Sequence, residues 1–381
     1  MINRIVSSKV LQYSRQYPVI MITGPRQSGK TTISKTLFPD KKYVSLEALE
    51  VRERASADPM GFLARYPDGA ILDEIQRAPQ LTSYIQGIVD ENDKTGMFIL
   101  TGSQSFELMS SLSQSLAGRM AIVRLLPFTF AEAYGASGGQ MLEEVLYTGF
   151  YPRIHDKKLN PTEASSFYAS TYIERDIRSI IKVQDLLRFE TFLKLCAGHT
   201  GRILNLTSLG NDCGVSHNTV KSWITLLEAS YIIALLPPYH ANLKKRLVKS
   251  PKLYFLDTGL ASYLLGINSP EQIVSHPLRG NLFETYVFTE LLKGRYNAGK
   301  TAGIYFFRDS NGNEVDFIVE EGDKLRCYEA KSSTTFSNSL IKGLNYLRKN
   351  SEKETELSLI YGGSESFTTE GIAVKSWNTP F

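Results

Sequence analysis

The chain has 381 residues, 42% of them hydrophobic and 22% charged, which is enough apolar material for a buried core and excludes a disordered chain. Its formal net charge of +4 permits contact with nucleic acid but does not require it. The three cysteines are too far apart for a disulfide framework or a zinc pattern, and the sequence shows neither a secretory signal nor an apolar run of roughly 18 residues. We therefore expect a cytoplasmic protein of two or three domains with no membrane partner.

The first predicted strand, over residues 17–23, leads into a glycine-rich loop that opens a predicted helix. The loop, residues 24–32, reads GPRQSGKTT and fits the pattern G-x-x-x-x-G-K-[ST] at every fixed position. In this pattern successive backbone N–H groups point at one anion, and the positive end of the helix dipole adds to the attraction. We call this segment the phosphate loop and predict that it binds ATP through Gly24, Pro25, Arg26, Gln27, Ser28, Gly29, Lys30, Thr31 and Thr32.

Two adjacent carboxylates, Asp73 and Glu74, end a short apolar strand that follows the loop. In nucleotide-hydrolysing enzymes the first acid of such a pair holds Mg²⁺ through water, and the second polarises the attacking water. We predict that Asp73 and the Thr31 hydroxyl hold Mg²⁺, that Lys30 contacts the β- and γ-phosphates, and that Glu74 is catalytic. The alternative is an ordinary strand end with two solvated acids.

Strands and helices alternate as far as residue 127, which predicts an α/β fold with a parallel sheet covered by helices on both faces. The strand over residues 97–103 ends in the polar residues Thr101 and Ser103, which we expect beside the first two strand ends. Arg119 precedes a predicted fifth strand over residues 121–127.

These motifs resemble those of the AAA+ ATPases over residues 17–135. GPRQSGKT resembles their Walker A loop, AILDE their Walker B strand with its catalytic glutamate, FILTGS the sensor 1 strand, and LAGRMAIVRLLPF the arginine-finger segment. The resemblance implies that Ser103, with Thr101 as second choice, senses the γ-phosphate. It also implies that Arg119 is an arginine finger, acting within the chain or on a neighbouring subunit.

More narrowly, the chain resembles a bacterial and archaeal family of predicted ATPases whose C-terminal domain of unknown function resembles restriction-type nucleases. This resemblance covers most of the chain and is most specific over its first third. It implies a helical lid, in which Arg175 either supplies a second arginine to the nucleotide or belongs to an intrahelical ion-pair face. We predict an AAA+ ATPase core over residues 1–135, a helical lid or linker over 136–200, a winged-helix-like segment over 201–250 and a nuclease-like α/β domain over 251–381.

A helix-turn-helix pattern lies in the third of these parts. A short helix over residues 206–214 ends in glycine, Ser216 is suited to cap the next helix, and the strand over residues 231–236 could begin a wing. We expect DNA to contact an exposed face made of His217, Asn218, Lys221 and Ser222. The alternative is a winged helix that contacts protein or serves as a spacer, since this face has one full positive charge.

Four residues near the C-terminus form a second candidate site. Asp316 lies on one predicted strand, Glu329 and Lys331 share a face of the next, and Glu284 lies on a preceding helix. Two such carboxylates could hold Mg²⁺ or Mn²⁺, and the arrangement resembles the PD-(D/E)xK nuclease pattern. We expect the four side chains to converge. The alternatives are a nuclease-like fold that no longer cuts and a paired-charge strand surface.

Together these observations predict Mg²⁺-dependent ATP binding and hydrolysis, coupled to DNA or to a protein client, with a second divalent metal in the C-terminal domain as a further expectation. An oligomer is compatible with the arginine-finger resemblance. Two alternatives remain open at this point. One is a slow nucleotide-dependent switch or scaffold with an inactive nuclease-like domain, and the other is an ATP-regulated, metal-dependent DNA nuclease.

Overall fold

The computed structural model describes residues 2–92, 94–102, 115–135, 139–173, 186–239 and 249–380. The chain divides into two compact units. Unit 1 consists of Met1–Phe128, Ala229–Tyr231 and Arg295–Lys300, and unit 2 of Thr129–Glu228, Ile232–Gly294 and Thr301–Phe381. In the described part of the chain, no helix combines the length and the apolar character needed to cross a bilayer.

Unit 1 is built on a five-stranded sheet in the order β2-β3-β4-β1-β5. Every neighbouring pair is parallel, which confirms the predicted α/β fold with a parallel sheet. The strands are β1 (Val19–Thr23), β2 (Lys42–Ser45), β3 (Ala70–Asp73), β4 (Phe98–Gly102) and β5 (Met120–Arg124). The described helices of this unit are α1 (Ser7–Ser14), α2 (Lys30–Leu37), α3 (Leu49–Ala57), α4 (Pro59–Ala64) and α5 (Leu81–Glu91), with a 3₁₀ turn at Ile75–Arg77.

The three inner strands of this sheet are buried along their whole length, as apolar strands covered on both faces must be. Val19 and Met21 belong to one hydrophobic cluster, and Ile20 and Ile22 belong to the other. This alternation follows from the two-residue period of a strand. Burying such a side chain contributes about 1.5–3 kcal/mol, so the strand that leads into the phosphate loop is firmly held.

Asp58-Pro59 separates α3 from α4, as the restriction that proline places on the preceding residue predicts. The Asp58 side chain accepts a hydrogen bond from Gly61 N at 2.9 Å, and Pro59 occupies the first turn of α4, where no backbone donor is needed. The sequence pattern also predicts a helix over residues 105–116, but residues 103–114 lie outside the described residues.

The first part of unit 2 is helical. Its opening helix has a reciprocal cap, in which Thr129 accepts from Glu132 N while the Glu132 carboxylate accepts from Thr129 N. The helices of this part are α6 (Phe130–Tyr134), α7 (Leu142–Thr148), α8 (Pro152–Lys157), α9 (Pro161–Tyr168), a π-helical turn at Ala169–Ile173, and α10 (Leu186–Gly198). Arg175 lies outside the described residues.

A helix pair and a small antiparallel sheet follow. The helices are α11 (Leu206–Cys213) and α12 (His217–Ala229), and the sheet has the order β6-β8-β7, with β6 (Arg202–Ile203), β7 (Ile233–Leu236) and β8 (Lys252–Phe255). The predicted helix pair and the strand after it are therefore present. The sequence pattern predicts a wing from residues 231–236 together with residues 239–256, and within this stretch residues 240–248 lie outside the described residues.

The remainder of unit 2 contains a six-stranded mixed sheet in the order β13-β14-β12-β11-β10-β9. The strands are β9 (Ile304–Arg308), β10 (Glu314–Glu321), β11 (Lys324–Lys331), β12 (Glu354–Tyr361), β13 (Phe367–Thr369) and β14 (Ile372–Ser376). The helices are α13 (Thr258–Leu264), α14 (Pro270–Ser275), α15 (Arg279–Asn297) and α16 (Lys342–Asn350), with a 3₁₀ turn at Asn338–Ile341.

The sequence pattern predicts a last strand over residues 356–361, and this prediction is wrong, because two more strands follow β12. A further hairpin follows, in which Thr369 pairs with Ile372 across a two-residue turn. Both turn residues, Glu370 and Gly371, have left-handed backbones, as the favoured two-residue hairpin turn requires. The glycine was the available signal, but the short, exposed β13 carries little apolar alternation.

Candidate functional site

The phosphate loop has the backbone shape that its glycines make possible. Gly24 has φ 152°, and a Cβ atom added there would lie 2.1 Å from the carbonyl oxygen of Leu125, so no other residue fits without a shift. Gly29, with φ 93°, is the left-handed residue from which α2 starts. Ser28 is buried in the loop, whereas Thr32 is exposed on α2.

Lys30 is buried, and its ammonium group lies within the loop itself. Its Nζ donates to the carbonyl oxygen of Gly24 at 3.0 Å and to that of Pro25 at 2.8 Å. These contacts hold the lysine against the backbone that, by the sequence prediction, surrounds the phosphates. The predicted cationic residue is thus in place at the start of α2.

Asp73 ends β3 and accepts hydrogen bonds from three hydroxyl groups on three different elements. Thr31 Oγ1 lies 3.0 Å from Oδ2 and 3.2 Å from Oδ1, Tyr43 Oη lies 2.6 Å from Oδ2, and Thr101 Oγ1 donates to Oδ1. The structure therefore brings the predicted metal residues Thr31 and Asp73 together, with Thr101 beside them.

Tyr43 was missed by the sequence interpretation, which assigned only a strand to this stretch. Its ring is covered by Lys35, whose Nζ lies 3.5 Å from the ring centroid. Burial, followed by the hydrogen bond and the charge of Asp73, raises the pKa of Tyr43 well above its ordinary value, so the phenol stays a donor. No motif could have revealed it, because the contact depends on β2 lying next to β3.

Glu74 follows directly with a left-handed backbone, at φ 61° and ψ 47°. For a residue with a Cβ atom this conformation costs on the order of 1 kcal/mol or more, and such residues cluster at functional sites. The side-chain amide of Gln76 donates to the Glu74 carboxylate. Ser103, the first choice for the sensor, lies outside the described residues, so only Thr101 is placed at this sheet edge.

Arg119 lies at the other end of the same sheet. Val19 pairs with Met120, so Arg119 is beside the amino-terminal end of β1, whereas the phosphate loop follows its carboxyl-terminal end. Five strand residues separate these ends by about 16 Å. The guanidinium donates to Asp90 at 2.9 Å and to the carbonyl of Ala117 at 3.0 Å. The structure therefore does not bring Arg119 to the loop of its own chain.

Arg4 reaches the loop, although no sequence motif indicated it. Its guanidinium donates to the carbonyl oxygens of Ser28 at 2.8 Å and Leu126 at 2.6 Å, and it lies 4.9 Å from the centroid of the Phe128 ring. The side chain thereby ties the middle of the phosphate loop to the segment that follows β5. A lone arginine before an amphipathic helix gave no signal of this role.

The predicted DNA-contact residues lie on the first turns of α12. His217, Asn218, Lys221 and Ser222 are all exposed, and the opposite face buries Val220, Trp223, Ile224 and Leu227. Ser216 accepts a hydrogen bond from Thr219 N at 3.1 Å, as an N-cap does. The face is therefore free of core contacts, and its role stays a prediction.

The four C-terminal candidates lie together within unit 2. Phe317 of β10 pairs with Tyr328 of β11, so the preceding residue Asp316 and the following residue Glu329 are side by side. Lys331 Nζ lies 3.2 Å from Asp316 Oδ2 and 2.5 Å from Glu329 Oε1. Glu284 is linked to Asp316 by a lysine that contacts both carboxylates and that the sequence interpretation missed.

That lysine is Lys252 on β8. Its Nζ lies 2.9 Å from Glu284 Oε1, 2.6 Å from Glu314 Oε1 and 3.8 Å from Asp316 Oδ1. We call the set Lys252, Glu284, Glu314, Asp316, Glu329 and Lys331 the charged cluster. Across the described residues, no group of three or more His, Cys, Asp or Glu side chains is placed to hold a metal ion.

The charged groups of this cluster shift one another's pKa values. Burial, and then the charge of Asp316, raises the pKa of Glu329 to about 8. The same two causes raise the pKa of Glu284. Burial opposes ionisation of Asp316 too, but the ammonium groups of Lys331 and Lys252 outweigh it and hold the pKa of that carboxyl below its ordinary value.

Comparison with known families finds matches to three segments of the chain. Residues 16–134 match the family model described as an AAA domain. Residues 139–271 match a domain of unknown function, DUF8612, and residues 279–379 match another, DUF4143.

Similar whole chains are themselves uncharacterized. A protein of Mycobacterium tuberculosis is 28% identical over 367 residues, which cover 94% of this chain and 79% of that one. A protein of Haemophilus influenzae is 23% identical over 296 residues, covering 73% of this chain and 70% of that one.

Two solved structures show a weaker similarity. The Walker-type ATPase of Pyrococcus abyssi shares 15% identity with a TM-score of 0.47, covering 69% of this chain and 96% of that one. AMPPCP-bound DnaA from Aquifex aeolicus shares 15% identity with a TM-score of 0.30, covering 59% of this chain and 86% of that one. The family match and the sheet with its loop carry the assignment: the chain contains an AAA-type P-loop ATPase domain and a C-terminal DUF4143 domain.

Proposed function

We propose that Mg²⁺-dependent hydrolysis of ATP takes place at the carboxyl-terminal edge of the parallel sheet. The hydrogen bond between Thr31 and Asp73 carries the proposal, because it joins the phosphate loop to the acid that ends β3. Hydroxyl and carboxylate oxygens are the ligands that Mg²⁺ prefers in nucleotide sites. The two residues therefore fit a Mg²⁺ ion, with Thr31 as a direct ligand and Asp73 acting through water. Such an ion supplies charge neutralisation on the triphosphate.

Lys30 and the loop backbone would hold the phosphates. The ammonium group is already fixed by the carbonyls of Gly24 and Pro25, so it needs only a local movement to contact a phosphate oxygen. The N-terminus of α2 adds partial positive charge on the same side. We assign Lys30 to the β- and γ-phosphates and the loop N–H groups to the same anion.

Glu74 would accept the proton of the attacking water. It follows Asp73 directly, and its left-handed backbone and the amide of Gln76 restrict where its carboxylate can lie. A fixed carboxylate orients water at less entropic cost than a mobile one. Thr101 is engaged with Asp73, which leaves Ser103 as the proposed sensor of the γ-phosphate.

The test compares Lys30→Ala with Lys42→Ala, a lysine exposed on β2. We expect Lys30→Ala to lose MgATP binding by calorimetry and to lose turnover, while its circular dichroism spectrum stays native. Lys42→Ala should keep both binding and turnover. Undiminished affinity of Lys30→Ala for MgATP would overturn the proposed site.

We further propose that turnover is coupled to DNA through the exposed face of α12. The support is that His217, Asn218 and Lys221 lie together on its first turns, while the opposite face packs inward. Duplex DNA should then change the ATPase rate, and Lys221→Glu should reduce the change, whereas Lys194→Glu on α10 should not. An unchanged rate with DNA would favour a protein client.

A further inference from the structure

The charged cluster contains a buried cation where a nuclease would need a metal. Lys252 has a side chain only 3% exposed, yet its ammonium contacts carboxylates from two different elements, Glu284 on α15 and both Glu314 and Asp316 on β10. Burial alone would lower the pKa of Lys252, but the charges of Glu284, Asp316 and Glu314 outweigh it and raise the pKa above its ordinary value. The lysine is therefore charged at neutral pH.

The position of this ammonium is fixed from several sides. Besides the carboxylates, Nζ lies 5.5 Å from the centroid of the Phe306 ring. Tyr254, two residues along β8, donates its hydroxyl to the same Glu284 oxygen. Moving Lys252 away would leave buried carboxylates without a cation, and breaking a buried ion pair in this way is strongly destabilising.

The other side of the cluster is closed by Lys331. Its ammonium bridges Asp316 and Glu329, and the backbone N–H of Ala330 donates to Asp316 Oδ2 at 3.0 Å. Both oxygens of Asp316 are thus turned toward protein donors or ammonium groups. A divalent ion at Asp316 would lie beside two positive charges rather than between free carboxylates.

Glu314 is paired on two sides. Arg308 lies 3.5 Å from its Oε2 atom, and Lys252 lies 2.6 Å from its Oε1 atom. Glu284, Glu314 and Asp316 thus each have a lysine or arginine partner, and a divalent cation placed among them would have to displace one.

We propose that Lys252 is the resident cation of the charged cluster and closes it to divalent metals. The cluster then serves to tie β8, α15, β10 and β11 together, and the residues do not fit the metal that a nuclease of this pattern would require. This inference concerns unit 2 alone, so it stands or falls independently of the ATPase proposal.

The first experiment measures Mn²⁺ binding to the full chain by electron paramagnetic resonance. The double variant Thr31→Ala/Asp73→Asn removes the proposed metal site of unit 1. We expect this variant to bind no Mn²⁺ with a dissociation constant below about 1 mM. One bound Mn²⁺ per chain that disappears on adding Asp316→Asn would overturn the proposal.

The second experiment opens the cluster in the same background. Lys252→Met should create one Mn²⁺ site per chain with at least a tenfold gain in affinity, and adding Asp316→Asn should abolish it. Lys293→Met is the matched control, because Lys293 is an equally buried lysine that pairs with Glu290 outside the cluster. A folded Lys252→Met variant that takes up no Mn²⁺ would contradict the role given to Lys252. If that variant does not fold, the first experiment alone decides.

Discussion

Tyr43 Oη lies 2.6 Å from Oδ2 of Asp73, the same carboxylate oxygen that Thr31 approaches at 3.0 Å. A phenol on β2 therefore fixes the carboxylate that we propose to act with Mg²⁺. Because a hydrogen bond to a charged acceptor is worth about 1.5–3 kcal/mol, the orientation of Asp73 depends measurably on Tyr43. This relationship makes Tyr43 a positioning residue of the proposed site.

Replacing Tyr43 by Phe should raise the Mg²⁺ concentration for half-maximal ATPase activity several-fold, because the carboxylate loses a donor that holds it in place. Binding of ATP without metal should change little, since the phenol does not touch the loop. Tyr66→Phe is the control, as its ring packs on Phe62 away from Asp73. A Mg²⁺ titration of turnover that matches the native protein would count against this role.

Glu74→Gln should keep MgATP and lose turnover by a factor on the order of 10² or more, as expected for removal of a general base. Steady-state turnover and calorimetry of the same preparation measure the two effects. Glu50→Gln, an exposed glutamate of α3, should leave both unchanged. Equal losses of binding and turnover would instead assign Glu74 to the fold of the strand end.

Arg119 can act as a finger only on another copy of the chain, because it lies at the opposite end of the sheet from its own phosphate loop. We expect specific ATPase activity to rise with protein concentration. Mixing Arg119→Ala with Glu74→Gln should restore part of the activity, since one mixed interface combines an intact Glu74 with an intact Arg119. Arg15→Ala is the control that should need no rescue. Turnover independent of concentration, with no rescue, would remove Arg119 from the site.

The raised pKa of Glu329 predicts a pH-dependent stability. Glu329 faces Asp316, Lys331 and Glu284, and it keeps its proton in the folded protein up to about pH 8. The unfolded chain releases the same proton near pH 4.5, so the contribution to stability is complete below that pH and is lost as the pH rises to 8.

Glu329→Gln, which imitates the protonated acid, should lack this loss. Denaturant titrations from pH 4.5 to 8.5 should show the native protein losing up to about 1.4 kcal/mol per pH unit relative to the variant. Glu354→Gln, on the exposed end of β12, is the control. Parallel curves for the native protein and Glu329→Gln would show that Glu329 is ionised in the folded state.

The sequence was sufficient where chemistry depends on neighbours along the chain. The phosphate loop, Asp73 with Glu74, and the Glu329-Ala-Lys331 segment were all recognised from spacing, because such motifs keep functional groups within a few residues. The parallel sheet of unit 1 also followed from apolar runs separated by helices. These features needed no knowledge of which distant residues meet.

The residues that were missed make contacts over long separations. Arg4 meets Leu126, Tyr43 meets Asp73 and Lys252 meets Asp316, and periodicity along the chain cannot predict which of these distant residues meet. For Arg119 the motif left open whether it acts within the chain or on a neighbouring subunit, and the direction of β5 places it at the sheet edge opposite its own phosphate loop. Strand order and direction therefore set the limit of the sequence interpretation.

The composition of unit 1 also bears on how the protein is made. This unit includes Arg295–Lys300, where the ring of Tyr296 lies 5.3 Å from the Arg124 guanidinium and Gly299 lies against the hydroxyl of Tyr13. During synthesis the parallel sheet of unit 1 can form early. The segment Arg295–Lys300 of the same unit, however, leaves the ribosome only after residue 300 has been added. A fragment that stops at residue 135 would lack them, so nascent chains of this protein must wait for most of unit 2 before the ATPase unit is complete.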